Sequence, residues 1–342
     1  MTAFDERPTT TNEAAAGPNS RPVLVWATLG AAFAALQIYV YVSWIASDDF
    51  ASTPHGPDAL NSGGKFWVPF FQIVSPLMAA AVLAWVARGC VREKRFTFDA
   101  MVVTVWAGLY WLDPFINFLR PQFFYNSYLI NRGSWVDHIP GWISPNGHLL
   151  PEPLIFLGAI YLWMGPIATF MACGAMRRIR ARYPRATTLR TIVGAWVGMV
   201  LFLLGCELFF IRTGMYAYPL TIHKLSIWGG RTYQYPLAEL LFWPMVWVSM
   251  GALRFFRDGD GQTFLDKGIN RVGPTRLRPA LRTLSMLGYA TVAMFIYYVP
   301  MTVLTAYGDP MPDGYPTYLT NGMCGPDTDV ACPGRGVPIE VP

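Results

Sequence analysis

Long apolar stretches alternate with short polar ones along this chain, and the pattern predicts seven helices that cross a membrane. A crossing helix needs about 20 mostly apolar residues. Positions 23–47, 66–87, 154–176 and 283–308 carry no charge at all. Positions 100–119 are apolar except for Asp113 and Asn117, positions 191–211 except for Glu207, and positions 232–253 except for Glu239. The fold class expected is therefore an all-α polytopic membrane bundle. Its parts are a disordered tail at 1–22, rich in Thr, Ala, Pro and Asn, a helical domain at 23–308, and a carboxy-terminal tail at 309–342. The first apolar run is too long for the core of a secretory signal, so it reads as a retained anchor. No internal repeat is visible.

Composition agrees. Hydrophobic residues make up 53% and charged residues 14% of 342, with a mean hydropathy of +0.32. Soluble domains carry about 25% charged residues, so a soluble, a disordered and a nucleic-acid-binding protein are all disfavoured.

The net charge of +5 says less than its placement. Of 26 Lys and Arg, 19 fall in the amino tail and the second, fourth and sixth loops, and 7 in the remaining loops and the carboxy tail. Basic residues are retained on the cytoplasmic side. The asymmetry predicts an inside amino terminus, an outside carboxy terminus and location in the cell's cytoplasmic membrane. Cys324 and Cys332 then lie on the oxidising side, eight positions apart, as a candidate disulfide. Cys90, Cys173 and Cys206 read as packing residues.

Orientation also converts sequence position into depth. Asp113, Glu207 and Glu239 all fall in the outer parts of their spans, and Glu152 immediately precedes the fourth span on the same side. Charges inside a bilayer are costly and face a cavity or a partner. Four carboxylates at one level are the main functional signal. Bland alternatives exist for each: Glu207 with Arg212, Glu239 with Arg231, Glu152 as a dipole-complementing residue at a helix start, and Asp113 at a kink made by Pro114. Asp113 and Asn117, four apart, would share a face of a regular helix.

The third loop, 120–153, is long, aromatic and poor in charge, with Asn126, Trp135, His138, Trp142 and His148. Long loops of this kind in compact proteins are commonly functional. It is expected to be a folded cap over the carboxylates, joined by Tyr216 and other aromatics of the fifth loop. Most of these aromatics read equally as an interfacial belt. No HExxH, paired CxxC, EF-hand, GxxxxGK[ST] or GxSxG pattern occurs, so neither a metal nor a cofactor is expected.

Several of these stretches resemble a known family. Tyr110-Trp-Leu-Asp-Pro-Phe-Ile-Asn117, Tyr125-Asn-Ser127, Gly133-Ser-Trp135, Ile139-Pro-Gly-Trp142, Ser144-Pro-Asn-Gly147 and Pro151-Glu-Pro153 are similar to segments of the AveC-type spirocyclases, membrane proteins of actinobacteria. The basic turn from Met176 to Pro184 and Tyr235-Pro-Leu-Ala-Glu239 carry the same likeness, which runs from about residue 66 to about residue 300. The resemblance implies cyclisation of a dihydroxy-ketone polyketide to a spiroketal and, for the namesake, dehydration of the product.

The residues suit that chemistry. A hydroxyl adds to a ketone, the hemiketal loses water, and a second hydroxyl captures the oxocarbenium ion. A poorly hydrated pocket lets one carboxyl group hold a proton while a neighbour stays ionised. Paired carboxylates serve oxocarbenium chemistry at glycosidic centres in the same way. The candidate catalytic set is Asp113 and Glu207, with Glu239 or Glu152 as a further carboxylate. The candidate substrate-binding set is Asn117, Asn126, Tyr110, Trp111, His148, Arg212 and Tyr216. The partners expected are a lipophilic, polyketide-like small molecule and membrane lipid. Other readings of the same residues are a transporter or binding protein for a lipophilic small molecule, and an accessory membrane subunit of a lipid or steroid pathway.

Overall fold

A computed structural model describes residues 21–272, 274–325, 328–334 and 336–339. The predicted disordered tail lies outside these residues except for Arg21 and Pro22.

Seven longer helices carry the fold: α1 (Pro22–Ile45), α2 (Ser62–Glu93), α3 (Phe98–Leu109), α4 (Phe156–Arg182), α5 (Thr188–Arg212), α6 (Leu237–Phe255) and α7 (Arg278–Thr305). Their starts are written in the sequence. Asn61, Thr97 and Thr187 each accept a hydrogen bond from a backbone N–H three residues on, at 2.7, 3.2 and 3.3 Å, which satisfies donors the first turn leaves free. A short helix α8 (Thr317–Thr320) lies in the carboxy-terminal tail.

Five helical stretches are long and apolar enough to cross a membrane: Pro22–Ile45, Ser62–Glu93, Phe156–Arg182, Thr188–Arg212 and Thr275–Thr305. In the most apolar window of α1, α2 and α5 only 22%, 22% and 17% of residues are buried within the protein. Water does not tolerate apolar surface on that scale, and lipid covers it at no cost.

The predicted spans at 100–119 and 232–253 are not among these five. The first is not one continuous helix: α3 ends at Leu109 after 12 residues, and the chain continues to Asn117 as a 3-10 helix. Pro114 supplies the physical reason, since it has no N–H to give an α-helical bond and its ring crowds the preceding turn. The second is α6, 19 residues long with Glu239 in its first turn and Arg254 in its last.

Helix α4 is the hub. It packs against α2, α3, α5 and α6, whereas α1 lies chiefly along α7. At one end of the bundle, Arg254 near the end of α6 makes a bidentate ion pair with Asp99 at the start of α3, at 2.8 and 3.0 Å. The same end holds Arg180 Nε donating to Thr191 Oγ1 and the Val23 N–H donating to the Lys267 carbonyl.

The opposite end is a folded cap. The α1–α2 connection, the 120–153 loop, the α5–α6 connection and the chain after α7 interlock there. Strand β1 (Phe124–Tyr125) pairs antiparallel with β2 (Tyr216–Ala217), placing Tyr125 opposite Tyr216. Strands β3 (Ser226–Ile227) and β4 (Tyr235–Pro236) form a second short ladder. Gln72 of α2 accepts from the Ile130 N–H at 2.7 Å, and the Trp135 indole, fully buried, donates to the Trp111 carbonyl at 2.8 Å. The carboxy-terminal stretch joins in: the Ser127 N–H donates to the Tyr318 carbonyl, and Arg120 donates to the carbonyls of Gly334 and Val337. Cys324 and Cys332 are joined by a disulfide within it.

Candidate active site

A cavity of about 90 Å³ lies at the cap end of the helices. Its polar walls are Asp113, Glu207 and Glu239, which come from three separate helical segments. Its apolar walls are largely aromatic, including Trp106, Phe123, Phe156, Phe210, Trp243 and Trp247.

Each carboxylate is positioned by its own element. Asp113 stands in the 3-10 stretch one residue before Pro114, Glu207 in the last turns of α5, and Glu239 in the first turn of α6. Each is held by tyrosine hydroxyls. Tyr161 donates to Asp113 Oδ1 and Tyr125 to Oδ2, both at 2.8 Å. Tyr218 donates to Glu207 Oε2 at 3.2 Å, and the Tyr216 hydroxyl reaches the same carboxylate. Tyr297 donates to both oxygens of Glu239, at 3.0 and 2.9 Å. Among the described residues, no ion pair involves any of these carboxylates. The arrangement keeps acidic groups in an aromatic-walled chamber without neutralising them with fixed cations among the described residues. Hydroxyl donors meet the requirement that buried polar groups be hydrogen-bonded.

Glu152 is placed one layer away. It is 1% exposed, its backbone N–H donates to the Leu150 carbonyl at 3.0 Å, and its Oε2 has no hydrogen-bond partner among the described residues. It does not line the cavity. Burial, reinforced by the nearby Asp113 carboxylate, pushes its carboxyl well above the ordinary value of 4.5.

The expected substrate-binding residues divide sharply. Tyr216 lines the cavity, and the other six do not. Asn117 is consumed by the cap backbone: its Nδ2 donates to the Phe123 carbonyl, and its Oδ1 accepts from Gln122 and Phe123, at 2.8–2.9 Å. The shared face with Asp113 is lost because a 3-10 helix has three residues per turn, which sets positions four apart about 120° from each other. Asn126 is likewise committed, donating to the Gly214 carbonyl and accepting from the Tyr128 N–H. Tyr110 donates to the Pro153 carbonyl at 3.3 Å, and buried Trp111 lends its carbonyl to Trp135. His148 sits on the cap with Nδ1 2.9 Å from Asp137 Oδ2. Arg212 stacks on Tyr233, 4.5 Å from the ring centroid, and not on Glu207.

The tyrosines are what sequence reasoning underweighted. Tyr161, Tyr125, Tyr218, Tyr297 and Tyr298 all line the chamber. In sequence, Tyr125 and Tyr218 stand in loops, where tyrosine ordinarily marks an interfacial belt, and Tyr161, Tyr297 and Tyr298 stand within the apolar runs at 154–176 and 283–308, where it reads as packing. The one available signal was position: Tyr125 and Tyr218 fall inside the loops expected to cover the carboxylates.

Compared with known proteins, the chain matches a family model described as Spirocyclase AveC-like over residues 93–320. No curated protein and no solved structure matches it. The matched range takes in every residue that lines the chamber.

Proposed function

The chain belongs to the AveC-like spirocyclase family, and from that premise we propose that it closes a lipophilic dihydroxy-ketone into a spiroketal within the membrane. The observation that carries the reading is the aromatic chamber with three unpaired carboxylates from three helical segments.

In this reading Asp113 and Glu207 are the acid–base pair. The first substrate hydroxyl adds to the ketone, its proton passing to a carboxylate while the ketone oxygen gains one. The protonated group then gives its proton to the hemiketal hydroxyl, which leaves as water. The second hydroxyl attacks the oxocarbenium carbon and surrenders its proton to the carboxylate now free. Glu239, on the same chamber wall, offsets the transient positive charge, and the aromatic faces assist by cation–π attraction. Excluding bulk water keeps the cation from being captured by the wrong nucleophile. Glu152, behind Asp113, acts on the chamber through its field and not by contact. Dehydration of the spiroketal would draw on the same groups.

The topology proposed is seven crossings of the cytoplasmic membrane, amino terminus inside, with the cap and chamber on the outer side. A greasy polyketide reaches such a chamber by partitioning across the bilayer.

The test is conversion of a dihydroxy-ketone by Asp113→Asn and Glu207→Gln variants. Each should lose about 10²- to 10⁴-fold in turnover, the usual contribution of a positioned acid or base. Wild-type rate and stereochemistry in either variant would remove that residue from the pair.

A further inference from the structure

Six tyrosines line the carboxylate chamber, and among the described residues they supply all of its hydroxyl groups: Tyr125, Tyr161, Tyr216, Tyr218, Tyr297 and Tyr298. Five are committed to carboxylates. Tyr125 and Tyr161 hold Asp113, Tyr216 and Tyr218 hold Glu207, and Tyr297 holds Glu239. Tyr298 holds none. Its side-chain neighbour is the Tyr161 hydroxyl. That hydroxyl already gives its proton to Asp113 Oδ1 at 2.8 Å, so it has only a lone pair to offer Tyr298. No anion among the described residues fixes the Tyr298 proton.

Packing holds the ring of Tyr298 in place. It is 3% exposed, its ring centroid lies 4.7 Å from that of Tyr297 and 6.1 Å from that of Phe115, and its backbone carbonyl accepts from Thr302 Oγ1 at 3.0 Å. The indoles on the chamber wall are poorer candidates for the same task. Trp106 donates to Thr169 at 2.9 Å, and the Trp247 nitrogen is sealed without a partner. An indole also donates only, whereas a hydroxyl donates and accepts. That difference matters in spiroketal formation, because the oxygen of the ketone changes character as it reacts. It begins as an acceptor only, and as a hemiketal hydroxyl and then as water it is a donor too. It also gains negative charge while the carbonyl carbon is attacked. Three carboxylates around it disfavour that charge unless a donor is aimed at the oxygen.

We infer that Tyr298 is a further catalytic residue, whose hydroxyl donates to the ketone oxygen of the substrate and keeps hold of that oxygen until it leaves as water. The inference rests on the spirocyclase reading for the reaction it serves. As the first hydroxyl forms its C–O bond, the carbonyl π electrons move onto the oxygen held by Tyr298, which takes a proton from the carboxyl acid. The carboxyl protonated by that first hydroxyl then gives its proton to the same oxygen, and the C–O bond breaks with its electron pair on the departing water. Tyr298 keeps its own proton throughout.

The experiment uses the full-length protein in nanodiscs and two probes: a long-chain dihydroxy-ketone, and the same ketone without its two hydroxyls, which cannot cyclise. With the first, Tyr298→Phe should lower kcat about 10- to 100-fold and change KM less, as when a hydrogen bond that strengthens in the transition state is lost. Fluorotyrosines placed at position 298, carrying one, two or three fluorines, make the hydroxyl a stronger donor without removing it. Below the pH at which each ionises, kcat should rise with their acidity. Tyr289→Phe, on the same helix but packed against Trp26 and Phe264, should leave kcat unchanged. Thermal melts report whether each protein folds, and the fluorotyrosine series decides where Tyr298→Phe does not. With the second probe, the stretch of an isotope-labelled carbonyl should fall in frequency on binding to the wild type and return toward its free value in Tyr298→Phe. Wild-type kcat in Tyr298→Phe, a flat fluorotyrosine series, or a carbonyl stretch that the variant leaves unmoved would each overturn the role of Tyr298. A Tyr298-dependent carbonyl shift in a protein that converts no dihydroxy-ketone would overturn the cyclase reading and leave the hydrogen bond standing.

Discussion

Among individual residues, the acidic ones were legible and their partners were not. A carboxylate in an apolar stretch stands out because lipid excludes it, so Asp113, Glu207 and Glu239 could be named in advance as facing a shared space. Tyrosine carries no such mark. Whether Tyr161 or Tyr297 faces lipid headgroups or a carboxylate depends on how α4 and α7 are rotated, and a single sequence holds little information on rotation. Glu152 shows the opposite failure: its depth was readable, but not the folding of its own loop, in which its N–H donates to the carbonyls of Leu150 and Gly133 and its carboxyl stays outside the cavity lining. Its environment gives a pH dependence. A carboxyl raised above its unfolded value favours the protonated fold, so its contribution is fully present below about pH 4.5 and is lost as pH rises toward the folded value. Glu152→Gln removes that loss. Melting temperatures in detergent should agree for variant and wild type, apart from a constant offset, below about pH 4 and diverge in favour of the variant as pH rises. A difference that stays constant with pH would show that this carboxyl is not held neutral.

The elements were legible by length and apolarity, and illegible where geometry departs from a regular helix. The break at Pro114 was foreseeable in kind, but its form was not. A 3-10 stretch changes the period from 3.6 to 3.0 residues per turn, and with it which side chains share a face. That change alone moves Asn117 from the substrate to the cap. Close helix contacts were also hidden. Gly30 of α1 and Gly288 of α7 meet backbone to backbone: a Cβ on Gly30 would collide with the Leu284 carbonyl, and one on Gly288 with the Trp26 carbonyl. Small residues permit this approach between helices in membranes. Gly30→Leu or Gly288→Leu should therefore destabilise by about 1–3 kcal/mol or more, in line with overpacked sites elsewhere. Gly205→Ala, on α5 with nothing near its Cβ position, should instead gain about 0.5–1 kcal/mol. Thermal unfolding of the three variants side by side tests the contact. A Gly30→Leu protein as stable as wild type would place the two helices farther apart.

For the molecule as a whole, the basic-residue asymmetry proposes which end faces the cytoplasm, and the fold supplies a consistency test. The first, third and fifth connections and the chain after α7 meet at one end of the bundle. A reporter enzyme active only outside the cell, fused after residue 339, should be active. An inactive outer reporter, with an active cytoplasmic one, would invert the proposed orientation. Long-range closure of this kind is least visible in sequence, because its bonds join a side chain to a backbone group 196 to 259 positions away. Asp58 Oδ2 accepts from the Thr317 N–H at 2.8 Å, and Asn321 Nδ2 donates to the carbonyl of Tyr125, which itself holds Asp113.

That last bond has a consequence for biosynthesis. Asn321 leaves the ribosome 208 residues after Asp113, so the nascent chain carries Asp113, Glu207 and Glu239 before the latch on Tyr125 exists. Throughout that interval the carbonyl of Tyr125 lacks its bond from Asn321, which can form only once that later segment has been synthesised.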